Sequence, residues 1–204
     1  MASLRNILAT SLVITAFAGG TLFMVLAFQG PRGQPLHATI LPQAATLPRF
    51  SLLDQNGAVF NNESLNDHWS LIFFGFTHCP DICPATLTQL AMARSQVLAG
   101  GEGTFPDIVL ISVDPERDTP EVMAAYVGQF GDGLKGVTGS VTELRKLTSA
   151  LGIFFEKPVD ENGNYGVNHS AVVIVINKRA EFHALFSAPH SVDHFVADIP
   201  LITD

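Results

Sequence analysis

The run WSLIFFGF at positions 69–76 sets the strongest limit on what this chain can fold into. It carries no charge and is apolar throughout rather than alternating, as expected of a strand buried inside a sheet. A second run of the same kind, IVLISV, lies at 108–113. Between them, from Cys83 to Ala99, Leu87, Leu90, Ala91, Arg94 and Leu98 recur at helical spacing. Strand, helix, strand in this order is a βαβ unit.

The remaining signals extend the pattern. Strands at 50–53 and 58–60 flank Asn56-Gly57, a hairpin turn. Asp118-Thr119-Pro120-Glu121 reads as a helix start with Asp118 as cap and Pro120 in the first turn, the helix running to about Phe130. Ser140 and Glu143 form a second capping pattern for a helix ending near Ala150. A short strand follows at 153–156, then a hairpin of strands at 171–176 and 181–186, then a last helix at 191–199. Strands interleaved with helices give an α/β layered fold, in which sites collect where strands end and helices begin.

The amino-terminal segment ILATSLVITAFAGGTLFMVLAF, 7–28, holds no charge. As a helix it spans about 33 Å, the thickness of a bilayer's hydrocarbon core. AFA at 16–18 resembles a signal-peptidase site, but the apolar stretch exceeds the about 7–15 residues usual in a signal peptide, which favours an uncleaved anchor. Arg5 before the span and Arg32 and Arg49 after it leave the charge rule for orientation undecided. The domain reading is a cytoplasmic start and transmembrane anchor at 1–29, a Pro/Gly/Ala-rich linker at 30–48, and one α/β domain at 49–204. With 11 Lys and Arg against 19 Asp and Glu, the net charge of −8 and the absence of a basic cluster argue against nucleic acid as a partner.

Cys79 and Cys83, in FGFTHCPDICPAT, are the only cysteines. Two are too few for a disulfide scaffold, so the pair is open to chemistry. With Pro84 as the first helical residue, Cys83 reads as a helix cap whose thiol the macrodipole acidifies. The C-x3-C loop can close a disulfide, act as a redox couple or aim two sulfurs at one metal. Two thiolates under-coordinate zinc, whereas thiolates with one imidazole suit Cu(I). Of seven histidines, His37 and His68 read as solvent contacts and His183, His190 and His194 as surface residues. His78 is adjacent to Cys79, and neighbours in an extended loop point apart. His169 opens HSAVVIVIN after a Gly-rich turn, and reaches the cysteine loop if that strand lies beside 69–76.

Taken together, FGFTHCPDICPATL, SVDPERDTPEV and YGVNHSAVVIV resemble the Sco/SenC family of copper-binding cytochrome oxidase assembly proteins, over about Arg49 to the end and in the amino-terminal anchor. The resemblance implies a thioredoxin-like fold on the periplasmic or intermembrane-space side of a membrane. It implies that Cys79 and Cys83 match the family's copper-binding cysteines and His169 its distal histidine, holding Cu(I), with Cu(II) as a second state. The implied role is a metallochaperone for the CuA centre of cytochrome c oxidase subunit II, exchanging copper with other periplasmic chaperones. A thiol-disulfide oxidoreductase acting on that subunit's cysteines is the alternative, and a static disulfide the third. Asn168 stands where the family usually carries Asp, which keeps the shape and removes a charge beside the ligand. Asp114 and Asp118 are explained as a strand end and a helix cap, without a metal role.

Overall fold

The computed structural model describes residues 33–101, 104–159 and 165–203. Of two compact units, the larger, Pro35–Asp204, carries every element described. The segment read as a membrane anchor lies outside the described residues, among which no helix is long and apolar enough to cross a membrane.

Three parallel strands form the centre: β4 (Ser70–Gly75), β5 (Asp107–Ser112) and β6 (Leu134–Thr138). All six residues of β4 are buried, as its continuous apolar run requires. Helix α1 (Ile82–Ala99) connects β4 to β5, and α2 (Pro120–Val127) connects β5 to β6. Antiparallel strands widen the sheet on both sides. β9 (Val173–Ile176) pairs with β4, β10 (Glu181–Phe186) with β9, and β1 (Ala38–Thr46) with β10. On the far side β2 (Ser51–Asp54) pairs with β6 and with β3 (Val59–Asn61). The order is β1-β10-β9-β4-β5-β6-β2-β3. Helix α3 (Val141–Leu151) follows β6, and α4 (Val192–Thr203) ends the fold against α1. A separate ribbon pairs β7 (Phe155–Glu156) with β8 (Asn168–His169).

Four expectations change. Residues 38–46, read as linker, are strand β1. Its mostly exposed residues give no alternating pattern, and Pro42 falls in the irregular stretch between Ile40 and Ala45, where an edge strand tolerates it. The start of β1 is clamped by Asp198 of α4, which is 1% exposed and accepts N–H bonds from Leu36 (3.1 Å), His37 (2.6 Å) and Ala38 (2.8 Å). Strand β6 had no sequence signal, because LKGVT is short and carries Gly136. A Cβ there would lie 3.0 Å from Met123, so the glycine lets α2 approach the sheet. The cap of α2 is Thr119, whose hydroxyl accepts from Val122 N–H, and not Asp118. The strand expected to begin at His169 is two pieces, β8 and β9, separated by three residues.

Candidate metal centre

The loop after β4 turns at once into α1. Cys79 N–H donates to the Phe76 carbonyl (3.3 Å), closing a tight turn. The helix starts at Ile82, with Asp81 as a cap residue whose side chain makes no capping bond. Cys83 therefore lies inside the first turn and is not the cap. Its N–H, one of the helix's four free donors, points to Cys79 Sγ at 3.4 Å. Cys79 keeps 9% of its surface exposed and Cys83 none, and both are free thiols.

The antiparallel pairing of β9 with β4, with Phe73 opposite Val173, brings the segment before β9 to the end of β4. His169 thereby meets the cysteines from 86 positions away, with Nε2 3.4 Å from Cys83 Sγ. Its Nδ1 lies 3.1 Å from the Ser170 carbonyl. A carbonyl only accepts, so Nδ1 carries the ring proton and Nε2 presents its lone pair to the sulfurs. Phe73 and Phe76 pack edge-on against the ring, at centroid distances of 5.9 and 5.8 Å.

The donor atoms of Cys79, Cys83 and His169 all lie within 4.8 Å of one another. With metal bonds of about 2.0–2.3 Å, donors arranged trigonally around one ion stand about 3.7–4.0 Å apart, so the group needs little movement to close. Two sulfurs and one neutral imidazole form a soft set suited to Cu(I). His78, which is 56% exposed at its side chain, is not part of the group.

Electrostatics correct one expectation. The helix start was to acidify Cys83, but burial pushes its thiol up, and its hydrogen bond with Cys79 adds to the rise. Desolvation of a fully buried sulfur outweighs the macrodipole. In the metal-free protein Cys83 is a thiol, and metal binding must displace its proton. Burial lowers the pKa of His169, against the opposing effect of its Ser170 bond, which keeps the imidazole neutral and available below the ordinary histidine range.

Other histidines depart from the surface reading. His190 Nε2 lies 3.0 Å from the Ala171 carbonyl, and its ring stacks on Phe195. His183 meets Trp69 edge-on, and His37 stacks on His194 at 3.7 Å. Burial is the main cause that lowers the pKa of His183 and His190 as well as His169. Below the ordinary value of 6.5 the unfolded chain therefore holds more protons than the folded one, so stability is full above 6.5 and declines as pH falls. Thermal unfolding followed from about pH 7 to about pH 5 should show a falling midpoint, and a smaller fall in His190→Gln. A midpoint independent of pH in this window would contradict the burial of these rings as neutral groups.

The sequence singles out Asn168, Asp114 and Asp118 but not the partners they find around the site. Asn168 Nδ2 donates to Glu156 Oε1 (3.0 Å) across the β7–β8 pair, where an Asp would set two carboxylates in register. Asp114 and Asp118 are both fully buried, and Asp118 accepts from Thr77 in the cysteine loop. Their signal was two acids directly after a buried strand, at the sheet end where sites gather.

A family model described as SCO1/SenC matches residues 38–203. The mitochondrial SCO2 homologue of Bos taurus is 33% identical over 200 residues, which are 94% of this chain and 74% of that one. The crystal structure of Arabidopsis thaliana ScoI with copper bound matches with a TM-score of 0.69 at 34% identity, covering 74% of this chain and 94% of that one. BsSco, named as a member of the Sco family of cytochrome c oxidase assembly proteins, shares the fold at a TM-score of 0.62 and 20% identity, covering 80% of this chain and 96% of that one.

Proposed function

The chain belongs to the SCO1/SenC family, and on that premise we propose that it is a copper metallochaperone, binding copper through Cys79, Cys83 and His169 for delivery to the CuA centre of a cytochrome c oxidase. The observation that carries the reading is the convergence of these three soft donors within 4.8 Å, one of them from a distant segment with its ring proton already placed on the far nitrogen. Cu(I) is the favoured cargo because two thiolates and one neutral imidazole satisfy it without a fourth ligand, and the same donors serve Cu(II). The thioredoxin-like domain is read as lying on the periplasmic side of an inner membrane, or its intermembrane-space equivalent, held by the apolar segment 7–28. Its partners are then oxidase subunit II and other copper chaperones of that compartment.

The test is Cu(I) titration of the reduced full chain; a truncation at Leu47 would remove β1. One equivalent should bind to the wild type. Cys79→Ser and Cys83→Ser should each lose stoichiometric binding, and His169→Ala should bind more weakly with an altered copper spectrum. A His169→Ala spectrum identical to that of the wild type would remove the third ligand from the proposal.

The free, neighbouring thiols favour a second reading, a thiol-disulfide oxidoreductase acting on the oxidase copper-site cysteines. In that reaction the thiolate of one cysteine attacks the partner's disulfide, the other resolves the mixed disulfide, and the partner leaves reduced. His169 separates the two readings. Copper transfer depends on it, whereas reduction of a disulfide peptide should proceed in His169→Ala.

A further inference from the structure

The metal centre is assembled from two pieces of chain that do not pair with each other in the sheet. One is the thiol loop after β4, and the other is the β7–β8 ribbon that ends in His169. Both are tied to a third piece, the turn between β5 and α2, through the two buried carboxylates.

Asp118 reaches the thiol loop. Its carboxylate accepts Thr77 N–H at 3.0 Å and the Thr77 hydroxyl at 2.6 Å, two residues before Cys79. Asp114 reaches the ribbon. It accepts the Tyr165 hydroxyl at 3.0 Å, pairs with Lys157 Nζ at 2.7 Å, and bonds Arg117 of its own turn. Lys157 directly follows β7, Tyr165 precedes β8 and pairs with Val159 in an isolated bridge that continues the ribbon, and the Arg117 guanidinium covers the Tyr165 ring at 4.2 Å.

The two residues are also tied to each other, through Ser112 and the backbone of the turn. The Ser112 hydroxyl donates to Asp118 at 2.5 Å and accepts Asp114 N–H at 3.0 Å, while Asp118 N–H donates to the Asp114 carbonyl at 3.0 Å. A cap or turn can be closed at the surface by one short polar side chain. Two fully buried carboxylates, each extended to a different segment, exceed that need and carry a desolvation cost.

We propose that Asp114 and Asp118 are positioning residues of the metal centre: Asp118 sets the thiol loop, Asp114 sets the ribbon that carries His169, and Ser112 joins them so that the turn fixes the distance from imidazole to sulfurs. The consequence for copper rests on the function proposed above; the bracing itself does not.

The test uses the reduced full chain with Asp114→Asn and Asp118→Asn, read by Cu(I) competition against a chelator and, without copper, by amide exchange. Each variant should weaken Cu(I) binding about tenfold, the scale seen when partners that orient metal ligands are removed. Asp114→Asn should cause little further loss in a His169→Ala background, because it acts through that ring. Asp118→Asn should keep its full effect there. Without copper, Asp114→Asn should speed exchange at Ser170 N–H, which bonds the Phe154 carbonyl at 2.9 Å, and Asp118→Asn at Cys83 N–H, while β5 amides stay protected.

An Asp114→Asn loss fully additive with His169→Ala, or unchanged exchange at Ser170, overturns the proposal. If Asp114→Asn does not fold, Tyr165→Phe removes a single hydroxyl from Asp114 and should speed Ser170 exchange in the same direction; no change in it is equally decisive. A wild-type chain that takes up no copper defeats the metallochaperone reading, while the exchange results still decide the bracing.

Discussion

Gly75→Ala is expected to weaken copper binding by about tenfold or more while leaving the chain folded. Gly75 ends β4 opposite Ser112, directly under the thiol loop. A methyl group there would stand 3.0 Å from Cys83 Sγ, 3.1 Å from Leu110 Cδ1 and 3.1 Å from Phe73 Cε1. Something must move. Leu110 and Phe73 are fully buried in the sheet, so their displacement disturbs the core, whereas Cys83 lies in a first helical turn next to a loop. The sulfur yields, and it is the one that lies 3.4 Å from His169 Nε2. Overpacking of this kind costs about 1–3 kcal/mol of stability. Cu(I) competition and chemical denaturation on the same preparation check both parts. Wild-type affinity in Gly75→Ala would mean that the sulfur is not held where the geometry puts it.

Phe195→Ala is expected to cost about 3–5 kcal/mol, the largest loss of any single substitution considered. Phe195 of α4 has no exposed surface, meets Phe186 at 4.9 Å between centroids and stacks on His190 at 5.5 Å. Its removal leaves a cavity between helix and sheet and takes away one cover of His190. Total stabilities of domains are about 5–15 kcal/mol, so the variant stays folded only narrowly. A denaturation midpoint shifted without a change in slope would report this loss as stability alone. Because burial is what lowers the His190 pKa, its titration in the folded variant should move back up toward the ordinary histidine value. An unmoved His190 titration would assign its shift to something other than Phe195.

The central strands were legible because their residues obey one rule throughout: 70–75 and 107–112 lie in the middle of the sheet, and their near-continuous apolar composition says so. Strand β1 escaped because an edge held by backbone bonds needs no side-chain pattern. Cys79, Cys83 and His169 were legible as chemistry, but their meeting depends on β9 lying antiparallel to β4, which no local spacing encodes. The Cys83 pKa was misjudged for a related reason. A helix start can be read in sequence, whereas the depth of burial that raises the thiol is a property of the assembled core. Asp118 was assigned to the wrong helix-start role because Asp and Thr are both good caps, and only the fold reveals that Asp118 faces Thr77.

The clamp at Asp198 also has a mechanical meaning. A pull on the domain from its amino-terminal side reaches Leu36, His37 and Ala38 first, and their three N–H bonds converge on a single side chain rooted in α4. Tension entering there falls on α4 as well as on the β1–β10 ladder. A tether at this end would thus load α4, and the helix α1 it packs against, together with the edge strand.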